Sequence, residues 1–376
     1  MRWAQNRTRP RIAVVAALAA FVTGALPAGP AWSAGPNQPF YGDLDRDGYV
    51  DRITLVPLAA NGCPVRVERG RPGGGYHPPR TYHYPEPGQA GAGGCADMGV
   101  AVDLGGDGQV ELVLTWFAGR PPGVNTDLLV LRNFTPAGGF SAIFQPSYIG
   151  TADFNGDRRL DVYQWTDQGE GFRSFLNTAN SQLVPGPVRW CFYNLPDVEI
   201  ADFQRNGRAD VAIAYSQGCD GMSSGVVVVL DDGRPVLLER EPDGLETWSI
   251  TVGDYNGDRI PDVRTTNEVT NVITTYLSRG DGTFVRSPLA VADRAYIRGY
   301  EPIRIRVLDN DAATTDARVV LIQAPMYGSA RVAADRTIIY TPRPGSGATA
   351  DRLVYRLLQE GKQSTTSVSL RFLPVN

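Results

Sequence analysis

The chain is short of the residues that most often do chemistry. Its 376 residues hold two histidines, four cysteines and four methionines. His77 and His83 lie in one segment, so a Ser-His-Asp triad would need that segment to fold over a partner. No GxSxG or HExxH occurs, and no CxxC spacing supports a zinc site. After residue 34 no stretch approaches the about 20 apolar residues of a membrane-spanning helix, so no membrane span is expected in the mature chain. No long segment has the i, i+3, i+4 spacing of an amphipathic helix. A basic surplus is missing too: 36 basic side chains face 40 acidic ones.

The beginning of the chain reads as a signal. Arg2, Arg7, Arg9 and Arg11 precede an apolar run from Ile12 to Leu26, and small residues follow at Ala31 and Ser33. That is the layout of a secretory signal peptide over residues 1–34, which points to a secreted, extracellular or cell-surface protein. No cysteine follows the run, which argues against a lipid anchor. Without the signal the net charge is about −8, divided as −12 over residues 35–295 and +4 over residues 296–376. An acidic main body argues against nucleic acid and anionic lipid as partners. Four cysteines in an exported chain suggest two disulfides, with three possible connectivities. Cys63–Cys95 and Cys191–Cys219 are favoured because each pair is local. Each bridge would close a loop of about 30 residues, worth ~3–4 kcal/mol in the chain-entropy model.

What is present is a repeat. "GDLDRDGYVDRI" begins at Gly42, "VDLGGDGQVEL" at Val102, "ADFNGDRRLDV" at Ala152, "ADFQRNGRADV" at Ala201 and "GDYNGDRIPDV" at Gly253. The first acids, Asp43, Asp103, Asp153, Asp202 and Asp254, recur at intervals near 50 residues. An apolar residue follows each: Leu44, Leu104, Phe154, Phe203 and Tyr255. Further apolar residues recur near each loop's end, at Val50, Val110, Leu160, Ala209 and Ile260, and at Ile53, Leu112, Val162, Val211 and Val263. The expectation is five loops on a common hydrophobic base. Runs such as "VELVLTWF", "DLLVLRNF", "VAIAY" and "VVVVL" between the loops read as strands. About 50 residues with several strands is the size of one propeller blade. The sequence thus predicts an all-β chain with a β-propeller of about five blades over residues 35–295, the longer first interval leaving room for a sixth, degenerate one.

The loops have the chemistry of a calcium ligand set. Calcium takes six to eight oxygens at flexible angles. Acids or amides at positions 1, 3, 5 and 9, with a carbonyl at 7, can wrap one ion. The first loop offers Asp43, Asp45, Asp47 and Asp51 with the carbonyl of Tyr49. The third offers Asp153, Asn155, Asp157 and Asp161 with that of Arg159. The fifth offers Asp254, Asn256, Asp258 and Asp262 with that of Ile260. The second loop keeps Asp103, Asp107 and Glu111 but has Gly105 at position 3. The fourth has Gln204 and Asn206, leaving Asp202 and Asp210 charged, so calcium is expected first at loops one, three and five. An EF-hand would need Glu at position 12 and flanking helices; Thr54, Gln164 and Thr265 stand there. Asp and Asn also cap tight turns without metal, but three or four acids within nine residues repel one another unless a cation is present.

This pattern resembles the FG-GAP or VCBS repeats of integrin-like propellers, and "LSRGDGTF" at Leu277–Phe284 resembles their strand-end motif. The resemblance implies a calcium-loaded propeller, in a group that spans adhesins, lectins, enzymes and scaffolds. The RGD at Arg279–Asp281 belongs to that motif and is not read as an integrin ligand. "GGGYHPPRTYHYPEP", with Tyr76, Tyr82 and Tyr84 around the histidines, reads as a solvated surface loop.

Residues 296–376 read as a separate β-sandwich of short strands: Arg304–Leu308, Ala317–Ile322, Ser329–Ala333, Thr337–Thr341, Leu353–Leu357 and Ser367–Phe372. Asn310 and Asp311, Gly328, Tyr340 and Pro342, and Asp351 and Tyr355 resemble bacterial cadherin-like or Ig-like modules. Leu358, Gln359 and Glu360 stand where those modules often carry an Asp. The reading is a secreted, calcium-binding, non-enzymatic binding or adhesion protein whose partner is an extracellular protein or cell-wall glycan. The alternative is a polysaccharide-active lyase or hydrolase on a propeller scaffold.

Overall fold

The computed structural model describes residues 35–56, 62–88, 94–194, 196–221, 223–244 and 246–374. The signal segment expected at 1–34 lies outside them. Every regular element among the described residues is a strand, and none of them forms a helix long and apolar enough to cross a membrane.

Five four-stranded antiparallel sheets follow one another along the chain. The first is Phe40–Gly42, Asp51–Leu55, Cys63–Glu68 and Arg80–Tyr84. The second is Met98–Val102, Glu111–Thr115, Leu128–Arg132 and Thr135–Phe140. Tyr148–Ala152, Asp161–Thr166, Gly171–Asn177 and Leu183–Trp190 make the third. Asp197–Ala201, Asp210–Tyr215, Ser224–Val229 and Pro235–Glu241 make the fourth. Trp248–Gly253, Asp262–Asn267, Ile273–Ser278 and Phe284–Ser287 make the fifth.

The strand chemistry explains the order within each sheet. Middle strands such as Asp210–Tyr215 and Ser224–Val229 are buried throughout, which is why they read as unbroken apolar runs. Fourth strands are more exposed and carry prolines: Pro136, Pro185, Pro187 and Pro235. Proline has no N–H for a ladder, so it suits an edge.

Neighbouring sheets pack face to face through apolar side chains. Ile53 and Val65 of the first sheet meet Leu112, Leu114 and Leu131 of the second. Val100 and Val130 meet Ile149, Val162 and Phe175 of the third. Phe154 and Phe172 meet Val211, Ile213 and Val227 of the fourth. Val226 and Val228 meet Ile250, Val263 and Tyr276 of the fifth. No apolar cluster joins the fifth sheet to the first among the described residues. Both expected disulfides are present, Cys63–Cys95 and Cys191–Cys219. They tie the first sheet to the segment entering the second, and the third sheet to a turn of the fourth.

The second unit has two sheets. One is Asp293–Ile297, Lys362–Phe372, Ala350–Gln359 and Arg318–Gln323; the other is Ile303–Ile305, Ile338–Pro342 and Gly328–Val332. Tyr340, Tyr355, Leu353, Val368 and Ile297 lie in its core. A boundary at 295/296 would cut the strand Asp293–Ile297, which pairs in parallel with Lys362–Phe372. Five residues with mixed burial gave this strand no pattern of its own. Arg306–Leu308, expected as the end of a strand, lie beyond Ile305 in a turn.

Candidate metal sites

All five acidic loops close the same hairpin, between the first and second strands of each sheet. The closing pairs are Gly42 with Asp51, Val102 with Glu111, Ala152 with Asp161, Ala201 with Asp210 and Gly253 with Asp262. In each loop positions 4 and 6 have positive φ: Arg46 and Gly48, Gly106 and Gly108, Gly156 and Arg158, Arg205 and Gly207, Gly257 and Arg259. Glycine adopts that conformation without a Cβ penalty. Arginine at four of the ten positions shows how strongly the rest of the loop imposes it.

Hydrogen bonds fold each loop around its acids. The position-1 carboxylate accepts backbone N–H groups: Gly48 on Asp43, Gly156 and Arg158 on Asp153, Asn206 and Gly207 on Asp202, and Gly257 and Arg259 on Asp254. The position-5 side chain accepts the N–H two residues on, from Tyr49 to Asp47, Gln109 to Asp107, Arg159 to Asp157, Arg208 to Asn206 and Ile260 to Asp258. These are Asx turns. They form equally around Asn206 and around an acid, so turn formation alone does not demand four acids.

Position 9 has a different job from its neighbours. Asp51, Asp161, Asp210 and Asp262 are fully buried, and Glu111 nearly so. One oxygen of each accepts the N–H of the residue after position 1, from Leu44, Leu104, Phe154, Phe203 or Tyr255, at 2.8–3.0 Å. In four sheets the other oxygen accepts an N–H from the end of the third strand: Gly70, Asn177, Asp231 or Ser278, at 2.7–2.9 Å. The carboxylate therefore braces the loop to the next strand. The loops also depart from the expected hydrophobic base. Position 8 lies in the loop just before the strand begins at position 9, and there Val50 and Leu160 are exposed at 39% each, while the smaller Ala209 is buried. The base is made instead by Leu104, Phe154 and Phe203 with Ile53, Leu112, Val162, Val211 and Val263, all buried.

The carboxylates are held where charge is costly. Burial, with nearby Asp153 and Asp157, pushes Asp161 up to about 7. Burial also pushes Asp210 to about 7 and Asp262 to about 6. Asp43, Asp45 and Asp51 bring carboxylate oxygens within 4.8 Å of one another. The Oδ1 atoms of Asp43 and Asp103 are buried with no hydrogen-bond partner. An oxygen-rich cluster with orphaned buried acceptors fits a hard cation such as calcium. Asp47 is exposed and turned to its own Asx bond. In the fourth loop the Gln204 amide donates to Asp210 at 3.2 Å and also to Asp231, so donors replace acceptors there.

The sequence reading missed the residues that carry one loop to the next sheet. Asn177 accepts the Gly105 N–H and donates to the Asp103 carbonyl; Ser278 donates to the Phe203 carbonyl; the Ala209 N–H reaches the Asp153 carbonyl. Asn177 and Ser278 each lie 16 residues after their position-9 acid, but the corresponding Gly70 and Asp231 lie 19 and 21 after theirs, so no column shared by the sheets marks them.

The second unit pairs the motif residues that suggested its class. The Tyr340 hydroxyl donates to Asp351 at 2.9 Å and the Tyr355 hydroxyl to Asp311 at 2.8 Å. Gly328 lies flat against the Tyr340 ring, where a Cβ would come within 2.6 Å of it. Residues 286–371 match the bacterial Ig domain. Comparison with curated proteins finds no match to the chain. The match starts before the strand Asp293–Ile297, in agreement with that strand's place in the sandwich. The Ig domain rests on the fifth sheet and its loop. Thr315 N–H donates to the Tyr255 carbonyl at 2.8 Å, Arg264 pairs with Glu360 at 2.8 Å, and Ser287 donates to Gln359 at 2.8 Å. Gln359 and Glu360, two of the three residues at the expected Asp position, are therefore junction residues.

The histidine-bearing segment is more structured than expected. Arg80–Tyr84 is the fourth strand of the first sheet; Tyr84 is buried with its hydroxyl on the Ala96 N–H, Tyr82 stacks on Phe134, and Arg52 lies over Tyr76. The RGD segment is a hairpin turn in which Asp281 accepts from Thr283.

Proposed function

We propose that the protein is a secreted, calcium-binding, non-enzymatic binding or adhesion protein. In this reading the five sheets are blades of a β-propeller of the FG-GAP or VCBS kind, spanning residues 35–295, and the Ig domain extends from the last blade. Three features support it: one hairpin geometry repeated five times, first strands that pack on one another between sheets one and two, two and three, and four and five, and apolar contact between each sheet and the next. The observation that carries the calcium reading is that Asp153 and Asp157 crowd the buried Asp161, and Asp254 and Asp258 the buried Asp262, in loops whose turns are already complete. Calcium would be held by the acids of loops one, three and five, and it would supply charge neutralisation and cross-linking within the loop. At ~1 mM free calcium and ~0.1 mM affinity each site adds about 1.4 kcal/mol.

The partner is an extracellular protein or cell-wall glycan, presented to the rim of the array or to the Ig domain. The acids cluster in the metal loops, and the paired arginines answer them. The test is a glycan and cell-wall binding array run with calcium and with EDTA. Calcium-dependent retention is expected. Polysaccharide turnover that one substitution outside the loops abolishes would overturn it in favour of a lyase or hydrolase.

A further inference from the structure

The five loops share a backbone but not a cation. In the first, Arg69 donates to Asp51 and its Nε lies 3.4 Å from Asp45. Asp45 and Asp51 are two of the three carboxylates clustered there. In the second, Arg132 lies 2.6 Å from Glu111 and 3.6 Å from Asp107. In the third, Arg159 reaches Asp157 only, and its Nε is used on the Asn177 carbonyl. Among the described residues no basic side chain pairs with Asp254, Asp258 or Asp262 of the fifth loop. The nearby Arg264 is turned onto the Tyr255 ring, at 3.9 Å, and onto Glu360.

Strand register shows that the difference is positional. Arg52 pairs with Glu68, and one step on Asp51 faces Arg69; Leu112 pairs with Leu131, and one step on Glu111 faces Arg132. By the same step Asp161 faces Leu176, Asp210 faces Leu230 and Asp262 faces Leu277. One site, opposite the buried position-9 acid, is arginine in two sheets and leucine in three. A guanidinium there spans two carboxylates with its fork of donors and stands against the ligands a metal would need. A leucine leaves them to the metal.

We propose that Arg69 and Arg132 are built-in cations that hold loops one and two in place of calcium, so that calcium loads loops three and five. This rests on the calcium reading of the loops and sorts them by strand position. Loop one, the richest in carboxylates, is then not the first to fill.

Calorimetric titration of the full chain with calcium chloride tests it. The wild type takes up about two equivalents. Arg69→Leu gains one more, with loop-one affinity roughly tenfold tighter, as for loss of an ion-pair competitor of about 1.4 kcal/mol. Adding Asp43→Asn to Arg69→Leu removes the gain. Arg69→Gln, with a smaller change in packing, gives the same gain if the leucine variant does not fold. Three equal sites in the wild type, unchanged by either Arg69 variant, overturn this inference and leave the calcium reading intact. Absence of calcium uptake by every variant overturns both.

Discussion

The five-sheet array and the Ig domain solve the same problem, how to hold antiparallel sheets together, by different chemistry. In the array the first two strands of every sheet are joined by an acidic loop, with a buried carboxylate braced by backbone N–H groups. The Ig domain uses neutral hydroxyls on its carboxylates, Tyr340 on Asp351 and Tyr355 on Asp311, beside one shared apolar core. A phenol donates its proton and adds apolar surface, so its pair requires no outside ion. Clustered acids repel one another unless a cation, a metal or a guanidinium, stands between them. The charge follows the same division, −12 over residues 35–295 and +4 over residues 296–376. On the proposed calcium reading, stability of the array is tied to the ion, and that of the Ig domain to packing.

The largest break in that comparison should come from chelation. EDTA is expected to lower the array's melting temperature by about 8 °C, from roughly 3 kcal/mol over the two calcium-loaded loops, while a separate Ig transition stays in place. Calorimetry that shows both transitions moving together would refute the division. Next in size is Asp161→Ala, which leaves the Phe154 and Asn177 N–H groups without their acceptor. It should destabilise the array by about 2–4 kcal/mol in urea unfolding. Tyr355→Phe, its counterpart in the Ig domain, should cost about 1–1.5 kcal/mol, since one hydrogen bond is lost and the ring remains.

A pH experiment sharpens the contrast further. Burial, then Asp311 and Asp309, pushes Asp293 up to about 6, with the Tyr355 hydroxyl and Asn310 also facing it. A carboxyl raised in the folded state contributes stability below its ordinary range and loses it as pH rises through about 6. Asp293→Asn should therefore raise the Ig melting temperature by about 2–4 °C at pH 8 and leave it unchanged near pH 4. A gain of equal size at both pH values would rule out titration of Asp293. The smallest effect is expected from Arg264→Ala at the junction. Its ion pair with Glu360 is partly exposed, so the loss should stay near or below about 1 kcal/mol, visible chiefly as faster proteolysis between the units.

Much of this arrangement could be read without coordinates. The Asp columns marked the hairpins, the apolar runs marked the middle strands, and local spacing marked both disulfides. The Tyr and Asp motifs of the Ig domain were legible because each motif residue has a partner within the same small unit. Other features were not. Val50 and Leu160 look like core residues in a column of apolar letters and face solvent. Asp51 and Asp161 look like ligands and also brace strands. Asp293–Ile297 was hidden because a short parallel edge strand has no alternation strong enough to show.

By itself, then, the sequence determined which segments turn and which extend, because turn chemistry and side-chain period are local properties. Only the tertiary structure decided what stands across from each acid: Arg69 and Arg132 in two sheets, Leu176, Leu230 and Leu277 in the others. Register depends on pairing between strands separated along the chain by connections of unequal length. A shift of one residue would reverse every face, and with it the partner that each buried carboxylate meets.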